Sequence, residues 1–269
     1  MKAFVFDVEF TWGFQARVAG LSKSPPSYIF PPPTTVIGAL AESIARRLRR
    51  GEMDGAELMR EISKSLLSIS FKSINAIPSS FMSIYRSYAI GSRGGTSYPT
   101  VKDVEVYRSF DAPAKGSTIM GTLDDEPPRV RYFLAFRDNS LVTSEDIWSI
   151  KRLGSKESLV AVIKVFEASV TLSGKKGKVC SAFPMVEGIE IKSNAYLTLT
   201  EHYVNPYSFS ASPAEVFVTK PNEVVPFAVF VPIIIDKEPC CEVEIKTEKY
   251  TLYSFRYDEK EEEVVGIAV

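Results

Sequence analysis

Residues 2–12 alternate with period two. Phe4, Phe6, Val8 and Phe10 fall on one side, and Ala3, Val5, Asp7, Glu9 and Thr11 on the other, which predicts a strand with one apolar face. The period lengthens after Pro31, Pro32 and Pro33. Ile37, Ala41, Ile44 and Leu48, flanked by Val36, Leu40 and Ala45, recur at helical spacing and make a broad apolar stripe. The prolines hold the entering chain extended, so Thr34 or Thr35 is expected to cap the helix with its hydroxyl. Gly38 in the first turn would let another backbone come close, at about 1 kcal/mol relative to Ala. Arg46, Arg47, Arg49 and Arg50 gather where the C-terminal dipole favours cations. A second helix is expected from the capping pair Asp54 and Glu57, with Leu58, Ile62, Leu66 and Ile69 on one face. Residues 70–77 then read as a strand.

Residues 79–128 fit neither period. Glycines at 91, 94, 95, 116 and 121, with Pro99, Pro113 and the pair Pro127–Pro128, surround short β-prone pieces at 81–90 and 101–110. Tyr85, Arg86, Tyr88, Arg93, Tyr98, Lys102, Tyr107 and Arg108 interleave rings with cations. Two readings stand side by side. One is an inserted β-arm whose rings stack on RNA bases while its cations meet phosphates. The other is a surface excursion whose tyrosines pack on their own hairpin.

Regular patterning returns at 129–137, where Val130, Tyr132, Leu134 and Phe136 face one way. A helix is expected over 143–153, with Thr143 and Asp146 as its capping pair, Ile147, Trp148 and Ile150 as its apolar side, and Gly154 as its stop. Residues 158–167 read as the next strand. Without the extra helix and the arm the order is βαββαβ. This is the ferredoxin-like order, shared by many RNA-binding modules and many unrelated proteins. After Glu167 the helical period vanishes. Residues 173–178 read as a turn, and 187–200, 215–218, 224–235, 241–255 and 264–269 as strands. The expected class is α+β: a ferredoxin-like domain over 1–168 carrying the arm at 79–128, and a smaller β-rich domain over 169–269.

The 269 residues are enough for two small domains with a core each. Net charge is −1, but residues 1–156 carry 21 Lys and Arg against 16 Asp and Glu, and residues 157–269 carry 11 against 17. The first part can therefore present a basic surface, while the acidic run 258–263 reads as a solvated edge. Cys180, Cys240 and Cys241 suggest neither a disulfide framework nor a metal-ligand set, which fits a reducing cytoplasm. No apolar run is long enough to span a membrane, and residues 1–20 lack a signal-peptide pattern.

Three stretches offer chemistry. The loop at 12–27 carries Trp12, Gln15, Arg17 and Lys23, and long loops in compact domains tend to be functional. The helix start at Thr34 and Thr35 offers free N–H groups and hydroxyls to an anion. The turn KRLGSKES sets Lys151, Arg152, Ser155 and Lys156 around Gly154. It is either a backbone cradle for phosphate or a C-capping glycine with dipole-compensating cations. One histidine, His202, lies between Glu201 and Tyr203, and the acidic cluster Asp124–Glu126 adjoins Pro127–Pro128 and is expected to face water. Serine-hydrolase, P-loop and dinucleotide signatures are absent from the sequence.

Together these pieces resemble the fifth family of CRISPR-associated (Cas) proteins. That subunit holds the five-prime handle of the guide RNA (crRNA) in type I surveillance complexes (Cascade), and the archaeal type I-A form is the most similar. The likeness rests on FVFDVEFTWGFQAR, on YIFPPPTTVIGAL and on RLGSKESLV. It implies a ferredoxin-like domain of the RAMP superfamily, a thumb-like arm with its tip near 87–99, and a non-catalytic RNA-binding role in antiviral defence. The handle would meet Thr34 and Thr35, the loop with Trp12, Gln15, Arg17 and Lys23, and the turn with Lys151, Arg152, Gly154, Ser155 and Lys156. The arm, with Arg86, Tyr88 and Arg93, would reach towards a backbone subunit of the seventh Cas family. The large subunit is the other protein partner implied, and target DNA is met indirectly. No catalytic residue, metal, cofactor or membrane contact is expected. The type I-C branch of the family cleaves precursor RNA with a Tyr, Lys and His constellation. None can be placed here, since His202 falls outside the framework domain and lacks a Lys neighbour. Two rivals remain: a metal-independent endoribonuclease acting on repeat RNA, and a protein–protein scaffold without RNA contact.

Overall fold

In the computed structural model, the described residues are 1–18, 25–84, 87–88, 110–111, 114–192, 196–208, 215–216, 219–234 and 237–269. The chain runs through β1 (Lys2–Phe10), β2 (Gly13–Phe14), α1 (Pro33–Arg47), α2 (Gly55–Ser65), β3 (Leu66–Ser73) and β4 (Ala76–Ile84). It continues with β5 (Ser87–Tyr88), β6 (Phe110–Asp111), β7 (Ala114–Thr122), β8 (Arg129–Phe136), α3 (Ser144–Trp148) and β9 (Val160–Glu167). The rest is mainly strand: β10 (Ser169–Gly174), β11 (Lys176–Val179), β12 (Phe183–Pro184), β13 (Ile189–Ile191) and β14 (Leu197–Val204). β15 (Val224–Val231), β16 (Cys241–Ile245), β17 (Tyr250–Tyr257) and β18 (Lys260–Ile267) complete it.

β3, β8, β1 and β9 form an antiparallel sheet in that order; β3, β8 and β1 are largely buried on both faces, and the edge strand β9 is half-exposed. On the front, Phe4, Phe6, Val8 and Phe10 join Val130, Tyr132, Leu134 and Phe136 against Ile37, Leu40 and Ile44 of α1 and Leu58 and Ile62 of α2. On the back, Ala3, Val5, Phe133 and Ala135 pack against Tyr253, Phe255, Tyr257 and Val264 of the β17–β18 hairpin. The same front cluster takes in Tyr203, Phe227 and Val229, so residues on either side of position 168 share a core. β17 and β18 belong to a sheet ordered β10-β17-β18-β11-β16-β13, and β12-β15-β14 make a smaller one.

α1 starts on its third proline. Pro32 is the N-cap and no side chain caps the helix. Thr34 is buried, and the Thr35 hydroxyl donates back to the Pro32 carbonyl at 2.6 Å, so the expected threonine cap is not made. Pro33 brings no N–H and a preset φ, which leaves one donor fewer to satisfy. The approach to the prolines is pinned by Glu201 of β14, whose carboxylate accepts from Ile29 N–H (2.7 Å), Phe30 N–H (3.4 Å) and the Tyr203 hydroxyl. Burial raises its pKa, opposed by those hydrogen bonds. Nor does a backbone approach Gly38: a Cβ there would meet nothing within 4 Å. Gly38→Ala is therefore expected to stabilise the fold by about 1 kcal/mol in urea unfolding.

α2 begins without a side-chain cap from Asp54, which has helical φ and ψ after a 3₁₀ turn. Leu66 and Ile69 belong to β3, not to the helix. The apolar positions continue in step across the boundary, but both faces of β3 are covered, so helical spacing and buried-strand spacing coincide there. α3 keeps the Thr143–Asp146 capping box yet stops at Trp148, which is 52% exposed. Ile150 and Leu153 are buried without being helical, because the chain is drawn into a bridge between Arg152 and Leu159. Gly154 is therefore not the helix stop.

Other expectations also change. Residues 173–178 are strand ends around a bend, 215–216 are helical, and 241–255 is two strands. Cys180 and Cys240 form a disulfide, where the cysteine spacing suggested no disulfide framework. They sit one step beyond the Val179–Cys241 end of the β11–β16 ladder, a proximity hidden by a separation of 60 residues. Cys241 is free and buried, and burial pushes its thiol up to about 12. The acidic run is not wholly solvated. Asp258 and Glu259 make the two-residue hairpin turn, both with positive φ, and Glu262 accepts from buried Lys72 at 2.6 Å. Among the described residues, no helix is long and apolar enough to cross a membrane.

Candidate functional site

The stem of the excursion is a ribbon of β4 against β7, and β2 adds to the other edge of β7. This wedges residues 13–18 between the ribbon and the turn that leads into β9. Gln15 ties the three together. Its N–H donates to Ser158 Oγ (2.9 Å), its carbonyl accepts from Ser155 N–H (2.8 Å), and its side-chain amide donates to Ser117 Oγ (2.6 Å). Gly154 makes the approach possible: its φ is +129°, and a Cβ would lie 2.7 Å from the Gln15 carbonyl oxygen. Trp12 closes the side, its indole N–H donating to the Glu157 carbonyl at 3.0 Å.

An open cleft of about 480 Å³ lies over this junction. Its lining includes Arg17 from the loop, Thr35 from the first turn of α1, Lys115 from β7, and Ser155, Lys156 and Glu157 from the turn before β9. Three cations thus meet one carboxylate. Glu157 accepts from Ser155 Oγ at 2.7 Å and from Lys115 Nζ at 3.4 Å. The serine first, then a backbone hydrogen bond and the lysine, hold its pKa at about 2, so it is charged throughout the neutral range.

No family model and no curated protein matches the chain. Among solved structures, the crystal structure of a CRISPR protein from Archaeoglobus fulgidus aligns over 100% of both chains, with 32% identity and a TM-score of 0.73. The chain belongs to the CRISPR proteins. The cryo-EM structure of the Type III-B Cmr-beta bound to cognate target RNA also aligns, over 61% of this chain and 59% of that one. Its identity of 12% and TM-score of 0.32 are too low to bear on function. The expectations of a CRISPR protein and of an α+β class are met.

In this CRISPR protein the expected site residues are only partly brought together. Gln15, Arg17, Thr35, Gly154, Ser155 and Lys156 all line the one cleft. Gln15 is buried, however, and holds the junction rather than offering its amide outward. Thr34 is buried in the first turn of α1. Trp12 is partly exposed beside Glu157. Lys151 is exposed and absent from the cleft lining, while Arg152 is held by Glu42 of α1 at 3.1 Å. Lys23, Arg86 and Arg93 lie outside the described residues, and Tyr88 is described only as backbone in β5. Lys115 and Glu157 escaped notice. Gly116 and Gly121 mask the alternation of β7, and only its register with β4 carries Lys115 to the cleft. Glu157 reads as a solvated charge until the turn folds onto Gln15.

Proposed function

We propose that this chain is the fifth-family RNA-binding subunit of a type I-A Cascade, holding the five-prime handle of the crRNA in the cleft without cutting it. The observation that carries the reading is the meeting of Arg17, Thr35, Lys115, Ser155 and Lys156, from four separated segments, around one opening. The three converging cations suit phosphate oxygens, which position an RNA strand, while the Thr35 and Ser155 hydroxyls already donate to the Pro32 carbonyl and to Glu157. The order β3-β8-β1-β9, with α1 and α2 on its front, supports a ferredoxin-like RAMP domain over 1–168. The ribbon β4–β7 is then the stem of the thumb, directed at a seventh-family backbone subunit. Residues 169–269 form the β-rich part, and the large subunit and target DNA complete the assembly.

Replacing Arg17, Lys115 and Lys156 together by Ala is expected to weaken binding of repeat-derived RNA by on the order of 100-fold. The slope of log affinity against log salt should fall by about 2, as three phosphate contacts on a single strand require. Fluorescence anisotropy across a salt series reads both. Unchanged affinity and slope would remove the phosphate site, and specific cleavage of repeat RNA in EDTA would remove the non-catalytic reading.

A further inference from the structure

Glu157 does not suit a site built for phosphate alone. It is the one carboxylate in the lining, set among Arg17, Lys115 and Lys156, and its charge repels a backbone oxygen. It is also held firmly in place. Ser155 Oγ donates to one of its oxygens and Lys115 Nζ to the other. A carboxylate has about four lone-pair sites, so each oxygen retains one. Two parallel acceptors therefore stand ready for a group that brings two adjacent donors.

Trp12 adds a second feature. Its single N–H is used on the backbone carbonyl of Glu157, which pins the partly exposed indole to the residue that carries the carboxylate, just outside the cleft lining, and leaves its ring as what it can offer. An aromatic ring tied to the residue that bears a base-edge acceptor, with cations in the cleft alongside that acceptor, is the equipment that reads an unpaired base in single-stranded RNA. Of the four RNA bases, only guanine presents two adjacent N–H donors, N1 and N2, on its Watson–Crick edge. Uracil flanks its one N–H with two carbonyls, and adenine and cytosine place a ring acceptor beside their amino group.

We propose, resting on the RNA-binding reading above, that Trp12 and Glu157 form a guanine-reading subsite at the rim of the cleft. The ring of Trp12 stacks on one unpaired guanine and the Glu157 carboxylate accepts from its N1–H and N2–H. The cations neighbouring them hold the flanking phosphates. Glu157 is thus a specificity residue, whose negative charge lowers general affinity while raising selectivity.

The test uses the full chain and oligouridylates carrying a single internal guanine, adenine, cytosine or no substitution, followed by anisotropy at fixed salt. The guanine-bearing RNA is expected to bind about tenfold tighter than the others, as one bidentate base contact implies. Glu157→Gln should erase that preference while leaving oligouridylate affinity equal or higher. Trp12→Ala should weaken every RNA and shrink the guanine preference. Lys156→Met separates reading from general phosphate contact, since Lys156 lines the cleft but is not one of the two groups that hold the carboxylate: it should weaken all four RNAs alike and keep the preference. Melting temperatures of the variants check that each is folded. Salt-sensitive binding without guanine preference overturns the subsite and leaves the phosphate site standing. So does a preference that survives Glu157→Gln, or one lost equally in Lys156→Met. Absence of any RNA binding by the unaltered chain overturns both.

Discussion

Asp7→Ala is expected to cost about 3–5 kcal/mol, the penalty for leaving a buried charge without its partner. Asp7 sits in mid-strand on β1 and is 2% exposed. Arg131, its cross-strand neighbour on β8, grips it with two bonds, Nε to Oδ1 at 2.6 Å and Nη2 to Oδ2 at 2.7 Å. The guanidinium also donates to the Tyr257 hydroxyl at 3.1 Å and lies over that ring. Burial works to lower the Arg131 pKa, but the Asp7 carboxylate outweighs it and the net shift is upward, so the group stays charged. Without Asp7 the next carboxylate, Glu262, stands 3.9 Å away. Urea unfolding reads the loss. Adding Arg131→Met should recover most of it, since the orphaned charge leaves with it. A single-variant loss below about 1 kcal/mol would show that the pair is not buried as described.

Gly154→Ala is expected to destabilise by about 2–4 kcal/mol, from the left-handed backbone and the steric contact combined. The new methyl would fall 2.7 Å from the Gln15 carbonyl oxygen and 2.8 Å from Ser158 Oγ, and both are fixed by hydrogen bonds that close the junction. The turn must back away from the loop, which opens the bond from Ser155 N–H to the Gln15 carbonyl and spreads the cleft. The same exchange at Gly38 has the opposite sign. Thermal unfolding of the two variants side by side should show one melting lower and the other higher than the parent. A neutral Gly154→Ala would mean the loop and turn are not in contact.

The framework was legible where pattern and burial agree. β1, α1 and β8 could be found because Phe4, Ile37 and Leu134 each recur with neighbours at one clear period, and β9 because 158–167 is rich in Val, Leu and Ile. Reading failed where one residue type serves two settings. Asp7 marks the polar side of an alternating strand, yet that side is covered by β17 and β18. Trp148 falls on the apolar stripe of a helix too short to bury it. The uneven charge of the two halves suggested a basic surface. Part of that excess is internal, since Lys72 and Arg131 from the first half face Glu262 from the second. The candidate cleft was half visible. Its glycine turn and proline-led helix stand out as words in the sequence, whereas Lys115 arrives through strand register and the Cys180–Cys240 pair through a ladder, neither of which leaves a local trace.

The central sheet is upholstered on both broad sides, by helices in front and by a second layer of strands behind. Among the described residues, its strands β3, β8 and β1 therefore offer no bare table on which a row of bases could be laid out flat. A polymer that approaches this framework is then met at its rim, where loops from distant parts of the chain come together.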